Sequence, residues 1–302
     1  MNLPIRARTS WQLRTRTIEL GTRTLIMGVV NVTPDSFSDG GFFLGTENAV
    51  AHALRLLEEG ADILDLGGES TRPGSHAGGD EPAVSAGEEQ ARILPVLEGI
   101  LEAAPHAVVS VDTYKASTAH AALAAGAEII NDISGFTWDP EMAKVCAGIK
   151  PGVVLMHTRG RPEEWRTQQQ LAPAAVLAMV RDGLAGSLSL AQHGGIKREA
   201  IVLDPGYGFG KRFGENFSLL KHQAELLSLG HPLLAGISRK SFLGHTLAPL
   251  YGGAAAPVEA RENASLAAMV AAILRGASVV RVHNVRPAVE AAHITDAILD
   301  AG

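Results

Sequence analysis

Polar residues recur in this 302-residue sequence where short apolar runs stop. Leu25–Val30 stops at Asn31 and the polar, glycine-rich stretch 32–41; Asp62–Leu66 stops at Gly67-Gly68-Glu69-Ser70-Thr71-Arg72-Pro73-Gly74. Ala107–Val111 gives way to Asp112, Glu128–Asn131 brings Asn131 and Asp132, and Val153–His157 brings Met156 and His157. Ile201–Leu203 leads into the stretch Asp204 to Lys211, Leu233–Gly236 into Ser238-Arg239-Lys240-Ser241, and Val279–Val282 carries Arg281 and meets His283. Two chemistries separate out. Asp112, Asn131, Asp204 and Lys240 offer acceptors, an amide and one ammonium. A carboxylate accepts two parallel N–H bonds, so this set suits a flat heterocycle with an amidine-like edge. Arg72, Arg281, His283 and Asn31 form an anion set, since arginine grips phosphate bidentately.

These residues need a scaffold that brings eight run ends together. The apolar runs are rich in Val, Ile and Leu without polar alternation, as for parallel strands covered on both faces. Amphipathic stretches lie between them. Thr46 is placed to cap a helix with Val50, Ala53, Leu54 and Leu57 on one face; Ala86–Leu101 and the Ala-rich Val258–Leu274 supply others. Gly60, Gly126 and Gly276 each fall between a helix and a strand, where a left-handed cap is wanted. Eight such units predict an α/β fold, a (β/α)8 TIM barrel, whose chemistry sits at the C-terminal strand ends. A doubly wound open sheet is the runner-up, without a G-x-G-x-x-G after the first strand to support it. One domain is expected over 1–302, with 1–23 as a short N-terminal β-hairpin capping the barrel. Trp11–Leu20 alternates apolar and polar residues, which favours that hairpin over an Arg-rich transit peptide.

Composition narrows the partners. A net charge of −6 argues against a nucleic-acid footprint, so cations that meet anionic substrates must be local. The one cysteine, Cys146, excludes an internal disulfide framework, suits a reducing cytoplasm and is expected to pack a helix. No window shows the run of about 18 apolar residues of a membrane span.

The stretches MGVVNVTPDSFSDGG (27–41), DLGGESTRPG (65–74), SVDTYK (110–115), INDISG (130–135), LMH (155–157), LDPGYGFGK (203–211), SRKSFLG (238–244) and RVH (281–283) closely resemble the dihydropteroate synthase family, in the family's order. That resemblance covers nearly the whole chain. It implies a transferase of folate biosynthesis that joins a pterin diphosphate to p-aminobenzoate. Asp112, Asn131, Asp204 and Lys240 would hold the pterin, with Ile133, Met156 and Phe209 lining its pocket and Arg281 against the ring. Asn31, Arg72, Arg281 and His283 would bind diphosphate, and Asn31 would contact Mg2+. Phe37, Thr71, Pro73, Phe209, Lys240 and Ser241 would border p-aminobenzoate. Asp112, Lys240, Arg281 and Asp39 are the candidate catalytic residues, and loops 32–43 and 72–80 would close over the site.

The chain departs from the family pattern in three places. About five residues, Ser75 to Gly79, extend the second loop; Arg212, Gly214 and Glu215 replace a Thr and His-Asn pattern; Asn284 stands where Asp is common. The resemblance further implies an SN1-like displacement, a cytoplasmic homodimer, and competition by sulfonamides at the p-aminobenzoate site. The lack of a Phe-Gly type insertion near Phe209 leans toward susceptibility. His157 reads as a packed histidine rather than an acid or base. Two alternatives stay open: a methyltetrahydrofolate-dependent corrinoid methyltransferase and a catalytically silent pterin-binding paralogue.

Overall fold

The computed structural model describes residues 6–32, 41–70, 75–78 and 84–301. An antiparallel hairpin, β1 (Thr9–Gln12) and β2 (Thr17–Leu20), comes first. Eight parallel strands follow: β3 (Leu25–Asn31), β4 (Ile63–Gly67), β5 (Val109–Asp112), β6 (Ile129–Asp132), β7 (Gly152–Met156), β8 (Ile201–Asp204), β9 (Leu233–Ala235) and β10 (Ala277–Val282). They close a barrel in sequence order, β10 pairing with β3 and β9. The expected runs all become strands, with ends displaced by one or two residues, as is usual at element boundaries.

The helices α1 (Gly41–Glu58), α2 (Ala86–Ala103), α3 (Ala116–Ala124), α4 (Met142–Ile149), α5 (Pro173–His193), α6 (Phe213–His222), α7 (Ser241–Thr246), α8 (Glu262–Leu274) and α9 (Val285–Asp300) surround it. Ser85 caps α2 through a reciprocal capping box with Glu88. Two helix expectations need correction. Helix α1 begins at Gly41, so Thr46 lies inside it rather than at its cap. The stretch Val258–Leu274 divides into a 3-10 turn over Val258–Arg261 and then α8. Gly60, Gly126 and Gly276 take φ of +105°, +115° and +93°, as their helix-to-strand positions required. Cys146 is buried on α4, in packing. Among the described residues one helix, α5, is long and apolar enough to span a membrane by length and composition; Val176, Val180, Leu184 and Ala191 turn it onto the barrel.

Period-two alternation sorts the barrel interior into layers. The lowest is apolar: Met27, Ile63, Val108, Ile129, Val154, Val202, Leu234 and Val279 pack with Trp11, Leu13 and Leu20 of the hairpin. Trp11 also donates its indole N–H to Ala200 O at 2.9 Å. Gly152 leaves the space the hairpin enters: a Cβ there would lie 2.6 Å from Leu13 Cδ2. Two residues further along the strands stand Asp65, Ser110, Asn131, Met156, Asp204, Gly236 and Arg281. The hydrophobic end of the barrel is thus plugged, and the polar layer faces its other mouth.

Candidate functional site

Strand alternation brings the expected heterocycle set and part of the anion set into one cluster. Arg281 Nε donates to Asp65 Oδ2 at 2.6 Å and its Nη2 to Asp112 Oδ2 at 2.9 Å. Asn131 Nδ2 donates to the same Asp65 oxygen at 3.1 Å. Asp204 accepts from the Gly206 N–H at 2.7 Å, and Gly236 opens toward both Asp204 and Arg281. Lys240 sets its ammonium 4.0 Å from the centroid of the Phe209 ring. Arg239, just before it, holds φ +60° and donates its N–H to Ser265 Oγ at 2.9 Å. A non-glycine residue in that region stores about 1–3 kcal/mol of strain, here spent beside the residue that carries the ammonium.

The electrostatics follow from crowding charges together at one barrel mouth. Burial raises the Asp112 pKa to about 7, Arg281 pulling against it and Asp65 adding to it. Burial raises Asp204 to about 6, opposed by the Gly206 N–H and Lys240. Lys240 falls to about 8 through burial and the nearby Arg281, with Asp204 and Asp112 opposing. Burial works against the Arg281 charge, yet Asp65 and Asp112 outweigh it and raise its pKa. Titratable groups shifted this far by burial and by one another, gathered at one barrel mouth, mark a candidate functional site.

Ile133 and Met156 are buried beside Tyr114, with Trp138 and Phe209 packed against them, forming an apolar wall. Ala77 joins that wall, so part of the extended second loop reaches it. His283 lies by Ser238, Nδ1 to Oγ 3.0 Å, and Ser241 is exposed at the first turn of α7. Asn31 is exposed at the end of β3, paired in register with Gly67. Its carboxamide oxygen is a hard donor. A donor of that kind suits Mg2+; among the described residues no three His, Cys, Asp or Glu groups gather for a metal. Phe37, Asp39, Thr71, Arg72 and Pro73 lie outside the described residues.

His157 proves packed: 7% exposed, its pKa pushed well below the ordinary value by burial and by Lys211, with Gly183 giving the ring its room. Three groups carry structure that the sequence left without a role. Asp65 is wholly buried and joins Arg281 to Asn131, while its Oδ1 has no hydrogen-bond partner among the described residues. Lys115 bridges Glu69 at 2.6 Å and Glu89 at 3.3 Å, behind the end of β5. Lys211 gathers backbone carbonyls behind Asp204. Asp65 has a sequence signal, its two-residue spacing from Ile63 on one strand face.

Comparison with known proteins places this geometry. Residues 27–283 match the model of the family described as pterin binding enzyme. Dihydropteroate synthase of Bacillus subtilis is 41% identical over 280 residues, covering 93% of this chain and 90% of the relative. A Xanthomonas albilineans dihydropteroate synthase solved with 4-aminobenzoic acid superposes with a TM-score of 0.84 at 39% identity, covering 98% of this chain and 100% of the other. The Yersinia pestis enzyme in complex with a sulfonamide drug gives a TM-score of 0.85 at 36% identity, covering 97% and 100%. The barrel, its polar layer and these likenesses agree: the chain belongs to the dihydropteroate synthases of the pterin-binding enzyme family.

Proposed function

We propose that this chain condenses 6-hydroxymethyl-7,8-dihydropterin diphosphate with p-aminobenzoate, giving 7,8-dihydropteroate and diphosphate. The observation that carries the proposal is the polar layer in which Asp65, Asp112, Asn131 and Asp204 face Arg281 and Lys240. In it, Asn131 and the Asp204 carboxylate bind the edge of the pterin, Ile133, Met156 and Phe209 flank it, and Arg281 lies against the ring. Asp112 stabilises positive charge as the exocyclic carbon parts from its diphosphate. Asn31, Arg72, Arg281 and His283 receive the departing anion. Asn31 would hold Mg2+, which when bound would supply further neutralisation of that leaving group. The neutral amine of p-aminobenzoate, bordered by Phe37, Thr71, Pro73, Phe209, Lys240 and Ser241, attacks the cation in an SN1-like step. Asp39 and the loops around it exclude water that would otherwise capture the cation.

Diphosphate release that requires both p-aminobenzoate and Mg2+ is the expected result. Tight pterin binding without release would instead identify a silent paralogue, and methyl transfer from methyltetrahydrofolate a corrinoid partner enzyme. Sulfonamides are expected to compete with p-aminobenzoate, as the complex of the Yersinia pestis relative supports. We also place the chain in the cytoplasm as a homodimer. Exposed Phe213, Phe217, Leu250, Tyr251 and Val258, on and around α6 and α7, support pairing of two copies. Sedimentation at micromolar concentration checks it, a monomer mass rejecting the pair.

A further inference from the structure

Lys211 ends the loop after β8, and its ammonium has three N–H donors. All three find carbonyl oxygens: Gly206 at 2.7 Å, His157 at 3.0 Å and Phe209 at 3.1 Å. The residue is 5% exposed, so water does not compete for these bonds. His157 follows β7, whereas Gly206 and Phe209 follow β8, so one ammonium fastens two strand ends together. At the near end, Gly206 takes φ +69° and turns its N–H to Asp204 Oδ1; a Cβ there would sit 1.9 Å from His157 O. At the far end, Phe209 is held by its carbonyl, with its ring edge-on to Trp165 at 5.1 Å and under the Lys240 ammonium. Gly208 between them lies against the Lys240 stem and donates its N–H to Asn216 Oδ1 at 2.7 Å. The loop that Lys211 anchors therefore bears on Asp204, Phe209 and Lys240 at once.

We propose that Lys211 is a positioning residue of the pterin pocket, its ammonium holding Asp204, Phe209 and Lys240 in the arrangement that receives the heterocycle. This rests on the assignment of Asp204 and Phe209 to the pterin. The clamp is also sensitive to pH. Burial lowers the Lys211 pKa to about 7; Asp204 on β8 and Glu215 on α6 oppose that fall, while Lys240 before α7 and Arg159 after β7 add to it. A neutral amine keeps two N–H donors for three carbonyls, so the clamp loosens as pH rises through that value.

Titrating the pterin diphosphate into wild type, Lys211→Met, Lys211→Gln and Asp204→Asn between pH 6 and 9 tests the proposal, with melting curves and steady-state KM values alongside. Lys211→Met is expected to weaken pterin binding at least tenfold, to change the p-aminobenzoate KM by a smaller factor, and to flatten part of the alkaline decline in pterin affinity. Lys211→Gln is one bond shorter but keeps two N–H donors, and is expected to fall between; it carries the test if the methionine variant does not fold. Wild-type pterin affinity in a Lys211 variant, while Asp204→Asn has lost it, would overturn the role of Lys211 alone. An equal rise in both KM values, or an unchanged pH dependence, overturns it too by marking a general packing role. Unchanged affinity in Asp204→Asn would instead overturn the site assignment beneath it.

Discussion

At the hairpin end of the barrel, Arg6 meets Asp296 at 2.6 Å, and Thr24 gives the same carboxylate its backbone N–H and its hydroxyl. Asp62 takes Arg23 and the N–H of Ile26, and Glu128 takes Thr15 with Arg14 and Arg16 close by. At the mouth, one guanidinium serves two carboxylates, Asp65 and Asp112, and one ammonium serves Glu69 and Glu89. Asp65 Oδ1 and Glu69 Oε1 have no hydrogen-bond partner among the described residues. Among the described residues, the carboxylates at the hairpin end are thus paired on both oxygens or nearly so, and Asp65 and Glu69 at the mouth on one. A buried polar group without its partner costs about 1–3 kcal/mol. Such groups are expected where a ligand completes them, and Arg6, Arg14, Arg16 and Arg23 fasten the N-terminal segment to the barrel.

The widest separation of the two ends is expected from Trp11→Ala. It removes a fully buried indole from the hairpin plug and should cost about 3–5 kcal/mol of stability. Thermal or urea unfolding measures that loss, while kcat of the remaining folded enzyme should stay within a factor of two. A large fall in kcat at a temperature where the variant is folded would mean that the ends are not independent.

Arg281→Ala is the converse. It takes the guanidinium that bonds both Asp65 and Asp112 and should cost about 2.7–4 kcal/mol in transition-state stabilisation, read as kcat/KM. Near-wild-type turnover would remove Arg281 from the chemistry. Its place in the site was legible in the sequence, because it sits in the last apolar run beside His283. The partner that aims it was not. Asp65 is embedded in the strand Ile63–Gly67, reads as one acid in an apolar run, and meets Arg281 only through barrel closure across 216 residues. Reading the residues after each run found Asp112, Asn131 and Asp204, since a strand delivers its next residue to the rim. It passed over Asp65 and Lys211, whose work depends on which face a residue takes or on which carbonyls another loop presents. Thr46 failed for a local reason: cap chemistry was present, but the helix had already begun at Gly41.

The pH dependence of activity sharpens the comparison next, by about tenfold over the range. Asp204 and Asp112, raised to about 6 and 7, must ionise to accept N–H bonds at both oxygens and to set a negative charge against the cation, so kcat/KM should climb with pH through that window. Lys240, lowered to about 8, and Lys211, lowered to about 7, lose charge above it, giving a falling limb with apparent values that belong to the set. Stability runs against activity here. A carboxyl whose folded pKa lies above its unfolded value of about 3.9 stabilises the fold fully below that value and loses the contribution as pH rises through the folded pKa. Melting temperature should therefore fall between pH 5 and 7.5 by an amount that Asp112→Asn reduces; an unchanged slope in that variant would show that the mouth does not carry this cost.

Gly78→Val asks the smallest question, whether the described part of the extended second loop belongs to the rigid wall. Gly78 takes φ +71°, and a Cβ would lie 2.3 Å from Trp138 Cε3. Valine is disfavoured on both counts, by backbone conformation and by contact with a ring that Tyr114 holds edge-on at 5.1 Å. The chain can relieve both by lifting Ser75–Gly78 away, which uncovers the Ala77 side chain and the Ser75 hydroxyl and breaks the backbone contact of Gly78 with Tyr114 and the long His76–Glu163 contact of 3.8 Å. With the loop lifted, the strain and the overlap are both relieved, and the cost is that of the contacts given up, about 1 kcal/mol. The variant should melt within a few degrees of the wild type, and the fluorescence of Trp138 should respond as its cover leaves. A drop in melting temperature of many degrees would instead make this stretch part of the barrel's own packing and shift the boundary between the closed frame and the open mouth outward by one loop.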